Sequence, residues 1–122
     1  MTDYVLMDAI NNTQGRIRNI NTKLGWYPAP DFLGCMALLH SEVSEAVEAW
    51  RNWGLDDATS KAVGQGEGYA LPKPEGVGSE LADVFIRLLD YARLSGIDLA
   101  AEVERKLEFN ATRAYRHGGK RA

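Results

Sequence analysis

A chain of 122 residues, hydrophobic at 45% and charged at 25%, has the size and balance of one globular domain with a core large enough to fold alone or as an oligomer. Its formal charge of -3 argues against a nucleic-acid polymer as main partner, since such proteins carry a basic surface that replaces counterions. Free nucleotides stay open, because a metal can supply the positive charge.

No apolar run approaches membrane-spanning length, and the start MTDYVLMDAINN lacks the basic stretch and apolar centre of a secretion signal. Cys35 stands alone, so no internal disulfide can form, and among Phe32, Met36 and Leu39 it reads as a small core residue rather than a nucleophile. A single cytoplasmic domain over residues 1–122 is therefore expected, with no membrane partner.

Along the chain, Leu6, Ile10, Ile17, Ile20 and Leu24 recur at helical spacing and predict a first helix, with Gly15 as a bend and Gly25 as its end. Trp26-Tyr27-Pro28-Ala29-Pro30 is an aromatic connector. Asp31 is placed to cap a second helix running to about Trp53, with an apolar stripe of Phe32, Met36, Leu39, Val43, Ala46, Val47 and Trp50. From Gly54 to Gly78 the pattern gives way to glycine and to Pro72 and Pro74, which reads as a long loop, a functional lid or a tolerated insertion. A third helix is expected from about Ser79 to Ser95, with Leu81, Val84, Phe85, Leu88 and Ala92 inward. Ile86 and Leu94 fall off that stripe and suit a subunit interface. Asp98 is placed to cap a fourth helix reaching about Tyr115, ahead of the basic tail Arg116-His117-Gly118-Gly119-Lys120-Arg121. No segment shows strand alternation, so the expected fold class is all-α, a four-helix bundle-like architecture.

Two acidic doublets stand out, Glu42-Val43-Ser44-Glu45 and Glu80-Leu81-Ala82-Asp83. Residues three apart on a helix share a face and rise about 4.5 Å along it, so each doublet presents two carboxylates to one place, and two such helices side by side gather four. Oxygen-only clusters suit hard cations, above all magnesium, and that points to phosphate chemistry. At about 100° per residue, Glu42 falls at the edge of the second helix's stripe, Glu45 one step further round, and Glu80 and Asp83 flank the third helix's stripe. The plain alternative is a set of solvated helix-face acids, with Asp83 paired to Arg87 at i+4. On the fourth helix, Leu99 and Val103 begin a stripe that continues through Lys106, Asn110 and Arg113. Donors pointing into the bundle imply an anionic partner, unless they reach outward or pair with the acids.

At these residues the chain resembles a known family, the MazG-like all-α nucleoside triphosphate pyrophosphohydrolases, whose signature is an E-x-x-E helix followed after a variable loop by an E-x-x-D helix. The resemblance runs through KPEGVGSELADV and KLEFNATRAYRHGGKR and covers most of the chain from about Trp26. It implies magnesium-dependent cleavage between the α- and β-phosphates of a nucleoside triphosphate, with manganese as a substitute metal, giving the monophosphate and pyrophosphate. It also implies assembly into homodimers or homotetramers with sites partly at subunit contacts. Carried over, Glu42, Glu45, Glu80 and Asp83 become metal ligands, and Lys106, Asn110 and Arg113 bind phosphate. One departure is Ser79, where many members carry a further acid, which leaves the number of metal ions open.

The mechanism this implies has water attack the α-phosphorus, with two or three magnesium ions held by the four acids. Glu42, placed nearest apolar surroundings that raise a carboxylate's pKa, is the expected residue for orienting or deprotonating that water. For the base, Trp26 and Tyr27 are candidates for stacking, and Asn11, Gln14 or Asn21 for reading its edge, against the plainer reading of connector aromatics as packing residues. A di-iron carboxylate bundle would add Glu-x-x-His, which this sequence lacks. A helical module that binds nucleotide or assembles without catalysis is the alternative from another class.

Overall fold

In a computed structural model, the structure describes residues 4–55, 61–65 and 71–114. The described residues form four helices and one short hairpin: α1 (Tyr4–Leu24), α2 (Phe32–Trp53), β1 (Lys61–Gln65), β2 (Pro72–Glu75), α3 (Val77–Leu94) and α4 (Leu99–Ala111). The class is all-α. None of these helices is long and apolar enough to cross a membrane.

The helix limits follow from local chemistry. Gly25 ends α1 at φ +76°, a left-handed conformation that glycine adopts without steric cost. Asp31 caps α2 by accepting a 2.8 Å hydrogen bond from the Gly34 amide, and Asp98 caps α4 by accepting one of 3.1 Å from Ala101. Gly15 lies within α1, which runs unbroken from end to end. The expected loop at 54–78 needs correction, because β1 and β2 pair antiparallel within it, Lys61 opposite Glu75, with an irregularity between Val63 and Gln65. Pro72 and Pro74 hid this strand, and such residues are at home on a two-stranded edge. α3 accordingly starts at Val77, two residues before the expected Ser79, behind Gly76 at φ +114°. α4 stops at Ala111, short of the expected Tyr115. Tyr115 and the tail from Arg116 to Arg121, with His117, lie outside the described residues.

α2 packs chiefly on α3, while α1 packs on α3 and α4. Among the described residues the core is small: Ile10, Ile17, Leu89 and Ala100, flanked by Leu6, Met7 and Leu99, with Leu89 alone fully enclosed. Gln14 is buried among them and donates 2.8 Å to the Leu89 carbonyl, tying α1 to α3. The expected inward faces are largely corrected. α2 buries Cys35, Ala46 and Ala49, whereas Phe32, Val43, Val47 and Trp50 are exposed. On α3, Leu81, Phe85 and Leu88 are exposed, and Leu89, Tyr91 and Ala92 are buried beside Asp90. Small side chains let α2 approach α3 closely, which leaves the bulky rows outside.

Candidate metal centre

The approach of α2 to α3 brings the two doublets together. One carboxylate oxygen from each of Glu42, Glu80 and Asp83 lies within 4.8 Å of the others, with Glu42 and Glu80 partly buried and Asp83 exposed. Glu45 is exposed and outside this closest group, yet near enough to act electrostatically on Glu80. Burial raises the Glu80 pKa above its ordinary value, and the neighbouring charges of Asp83, Glu45 and Glu42 raise it further against the opposing pull of Lys73. Carboxylates gathered this way hold each other at an electrostatic cost that a divalent cation would offset, and an all-oxygen donor set suits magnesium or manganese.

Glu42 is not free within the cluster. Arg87, one turn beyond Asp83, forms an ion pair with Glu42, Nε to Oε1 at 2.8 Å, and donates from Nη1 to the Tyr91 hydroxyl at 3.0 Å. The alternative i+4 pair between Asp83 and Arg87 gives way to a bridge between helices. Desolvation works against the Arg87 charge, but its bonds to Tyr91 and Glu42 outweigh it and raise the guanidinium pKa. The cluster carboxylate whose pKa the structure raises is Glu80. Ser79, where the resemblance would place another acid, donates its hydroxyl to the Pro74 carbonyl at 3.2 Å.

A cavity of about 440 Å³ adjoins the cluster, with Asp83 and Arg87 in its wall. Trp26, Tyr27 and Asn21 line it from the α1–α2 side, and Asp90 and Tyr91 from α3. Asp90 is buried and fully engaged. It accepts from the Tyr27 hydroxyl at 2.8 Å, from Asn21 Nδ2 at 3.3 Å and from Arg93 Nη2 at 3.0 Å. Arg93 also donates to the Tyr27 hydroxyl at 2.9 Å and lies over its ring. The Tyr27 phenol is raised in pKa by burial first and then by its bond to Asp90. Of the two aromatics expected at a base, Tyr27 is therefore committed to a structural network, whereas Trp26 is 66% exposed at the cavity's rim. Gln14 is spent on Leu89 and Asn11 is exposed, while Asn21 lines the cavity.

Lys106, Asn110 and Arg113 do not form an inward stripe. All three are exposed on α4, whose buried residue is Ala100, and the Arg113 guanidinium lies over the Phe109 ring at 4.9 Å. From Arg105 onward the described residues of α4 are exposed, so the projected stripe runs along a surface face. Sequence reasoning missed the Asp90 network and the Arg87 bridge. The one local signal was a pair of polar residues, Arg87 and Asp90, inside the apolar run of VFIRLLDYA.

The class these observations define is an all-α protein with a carboxylate cluster between two packed helices and a cavity with aromatic residues in its wall beside it. Comparison with protein families, with curated proteins and with solved structures gave no match.

Proposed function

We propose that this protein is a MazG-like, magnesium-dependent nucleoside triphosphate pyrophosphohydrolase, cleaving an NTP or dNTP between its α- and β-phosphates to give the monophosphate and pyrophosphate. The observation that carries the reading is the meeting of Glu42, Glu80 and Asp83 from two helices at the wall of a cavity of nucleoside size. These three acids, with Glu45 beside them, would hold the metal. When bound, magnesium supplies Lewis-acid polarisation of phosphoryl oxygens and lowers the pKa of water. Glu42 keeps the water-directing role in a narrowed form: Arg87 fixes its Oε1, which leaves Oε2 to orient a water rather than to compete for its proton. Trp26, at the rim, offers a face for stacking on the base. The exposed positions of Lys106, Asn110 and Arg113 give no support to a phosphate-binding role within one chain.

We further propose a homodimer or homotetramer. The support is the pair of exposed apolar rows, Val43, Val47 and Trp50 on α2 and Leu81, Phe85 and Leu88 on α3, each at i, i+4, i+7 spacing.

The test is pyrophosphate release from a panel of ribo- and deoxyribonucleoside triphosphates, with and without magnesium, beside Glu80→Gln. Release that needs magnesium and falls by about two orders of magnitude in the variant, the scale on which lost transition-state electrostatics register, supports the reading. No release from any triphosphate, by a folded protein that binds magnesium, would leave a nucleotide-binding module in its place.

A further inference from the structure

Arg87 is the cation that both touches the carboxylate cluster, through Glu42, and lines the cavity. Its Nε holds Glu42 and its Nη1 holds Tyr91, at 2.8 and 3.0 Å, while the residue also lines the cavity together with Asp83. A guanidinium carries five N–H donors in a rigid plane. An ion pair and a hydrogen bond hold that plane, and Nη2 makes no hydrogen bond among the described residues. A fixed fork with a free edge is suited to an anion with several oxygens, since little further ordering is needed when the anion arrives.

The other nearby cations are otherwise disposed. Arg93 is spent on Asp90 and Tyr27, Lys73 faces Glu75 at 3.7 Å, and Lys106 and Arg113 stand exposed on α4. A polyanion brought beside a carboxylate cluster needs positive charge from the protein as well as from any metal, and within the cavity wall Arg87 is where the chain provides it.

We propose that Arg87 is a phosphate-binding residue that couples the carboxylate cluster to the cavity, holding Glu42 through Nε and a phosphoryl oxygen of the ligand through Nη2. This rests on the reading of the site as one for the phosphates of a nucleotide. It separates Arg87 from a plain salt bridge by the sign of two effects. A cation beside the acids opposes a second cation, so removing it strengthens divalent-metal binding. The same removal weakens anion binding.

Two equilibrium measurements on the whole chain test this without turnover: manganese binding by electron paramagnetic resonance, and inorganic pyrophosphate binding by calorimetry at a fixed, saturating concentration of free magnesium. In Arg87→Met, manganese affinity should rise about threefold to tenfold, the effect of removing one unit charge a few ångströms away in a wet site. Pyrophosphate affinity should fall about tenfold or more, as for a lost charge-assisted hydrogen bond. Arg87→Lys should keep manganese affinity near the parent value and recover only part of the pyrophosphate affinity, because an ammonium lacks the fork. Unchanged pyrophosphate affinity in Arg87→Met, or manganese affinity that falls, would overturn the proposal and leave Arg87 a support for Glu42. If circular dichroism shows Arg87→Met unfolded, Arg87→Lys decides alone, with unchanged pyrophosphate affinity overturning the proposal and a loss supporting it. The signature in a protein that cleaves no triphosphate keeps the anion site and removes the hydrolase reading; its absence in one that does cleave them removes Arg87 alone.

Discussion

Glu80 concentrates the chemistry of the cluster in one titration. Its folded-state pKa lies above the ordinary 4.5 because burial and three neighbouring carboxylates disfavour its charge. The native state thus holds this proton more tightly than the unfolded chain, so stability falls as pH rises from about the ordinary value through the raised one, and above that window charged Glu80 is a standing cost. Glu80→Gln should therefore raise the melting temperature of the metal-free protein by a few degrees at pH 7, and the difference from the parent should vanish near pH 4. Magnesium should stabilise the parent at pH 7 and stabilise Glu80→Gln much less. Thermal melts across pH, with and without magnesium, check both statements, and a variant less stable than the parent at pH 7 would contradict the assignment of strain to Glu80. The doublets were legible in the sequence because an i, i+3 relation is local and survives any error in packing. The Asp90 network was not, since Asn21 and Tyr27 reach Asp90 across separations of 69 and 63 residues. Nothing near Asp90 in sequence distinguishes a buried, three-partner carboxylate from an exposed helix acid.

At the scale of elements, what positions the cluster is the register of α2 against α3, and that register begins at the α2 cap. Asp31 satisfies the Gly34 amide, and a Cβ on Gly34 would stand 2.7 Å from the Pro30 Cβ, so the chain enters the helix in close contact with itself. Loss of the cap in Asp31→Ala should cost about 1 kcal/mol of stability, read by urea denaturation, with manganese affinity little changed because the cap lies far along the helix from Glu42. Caps of this kind were readable from residue type and spacing, as were the C-terminal end of α1 and the start of α4. The faces were not. Periodicity marks a row as apolar but does not say against which surface it will be buried. In α2 the chain turns its small residues, Cys35, Ala46 and Ala49, toward α3 and leaves the bulky ones outward. The hairpin escaped for a different reason: two strands of five and four residues, one carrying two prolines, fall below any useful period.

For the whole molecule, those misplaced faces become the strongest argument about assembly. Among the described residues a single chain fully encloses only Leu89, while Trp50 and Phe85 remain 54% and 53% exposed on neighbouring helices. Two apolar rows stand exposed on packed helices, and the same rows present on both partners are what a twofold interface requires. A second copy is the fitting occupant because the rows continue the amphipathic pattern of the helices themselves, with no charge within them to select a different partner. Completing the burial of six half-exposed apolar side chains would stabilise each chain by about 1 kcal/mol per side chain, roughly half of the full burial value. That is large against the few kcal/mol by which small domains are stable. Sedimentation at micromolar concentration should therefore find a dimer or tetramer, and Trp50→Glu combined with Phe85→Glu should give monomers of lower melting temperature. A parent protein that sediments as a stable monomer would mean that the small core suffices and that the outward rows serve another contact. Because Glu42 and Glu80 lie on the same two helices as those rows, assembly would also brace the register that brings the carboxylates together. Manganese affinity should then weaken in the monomeric variant although no ligand has been altered.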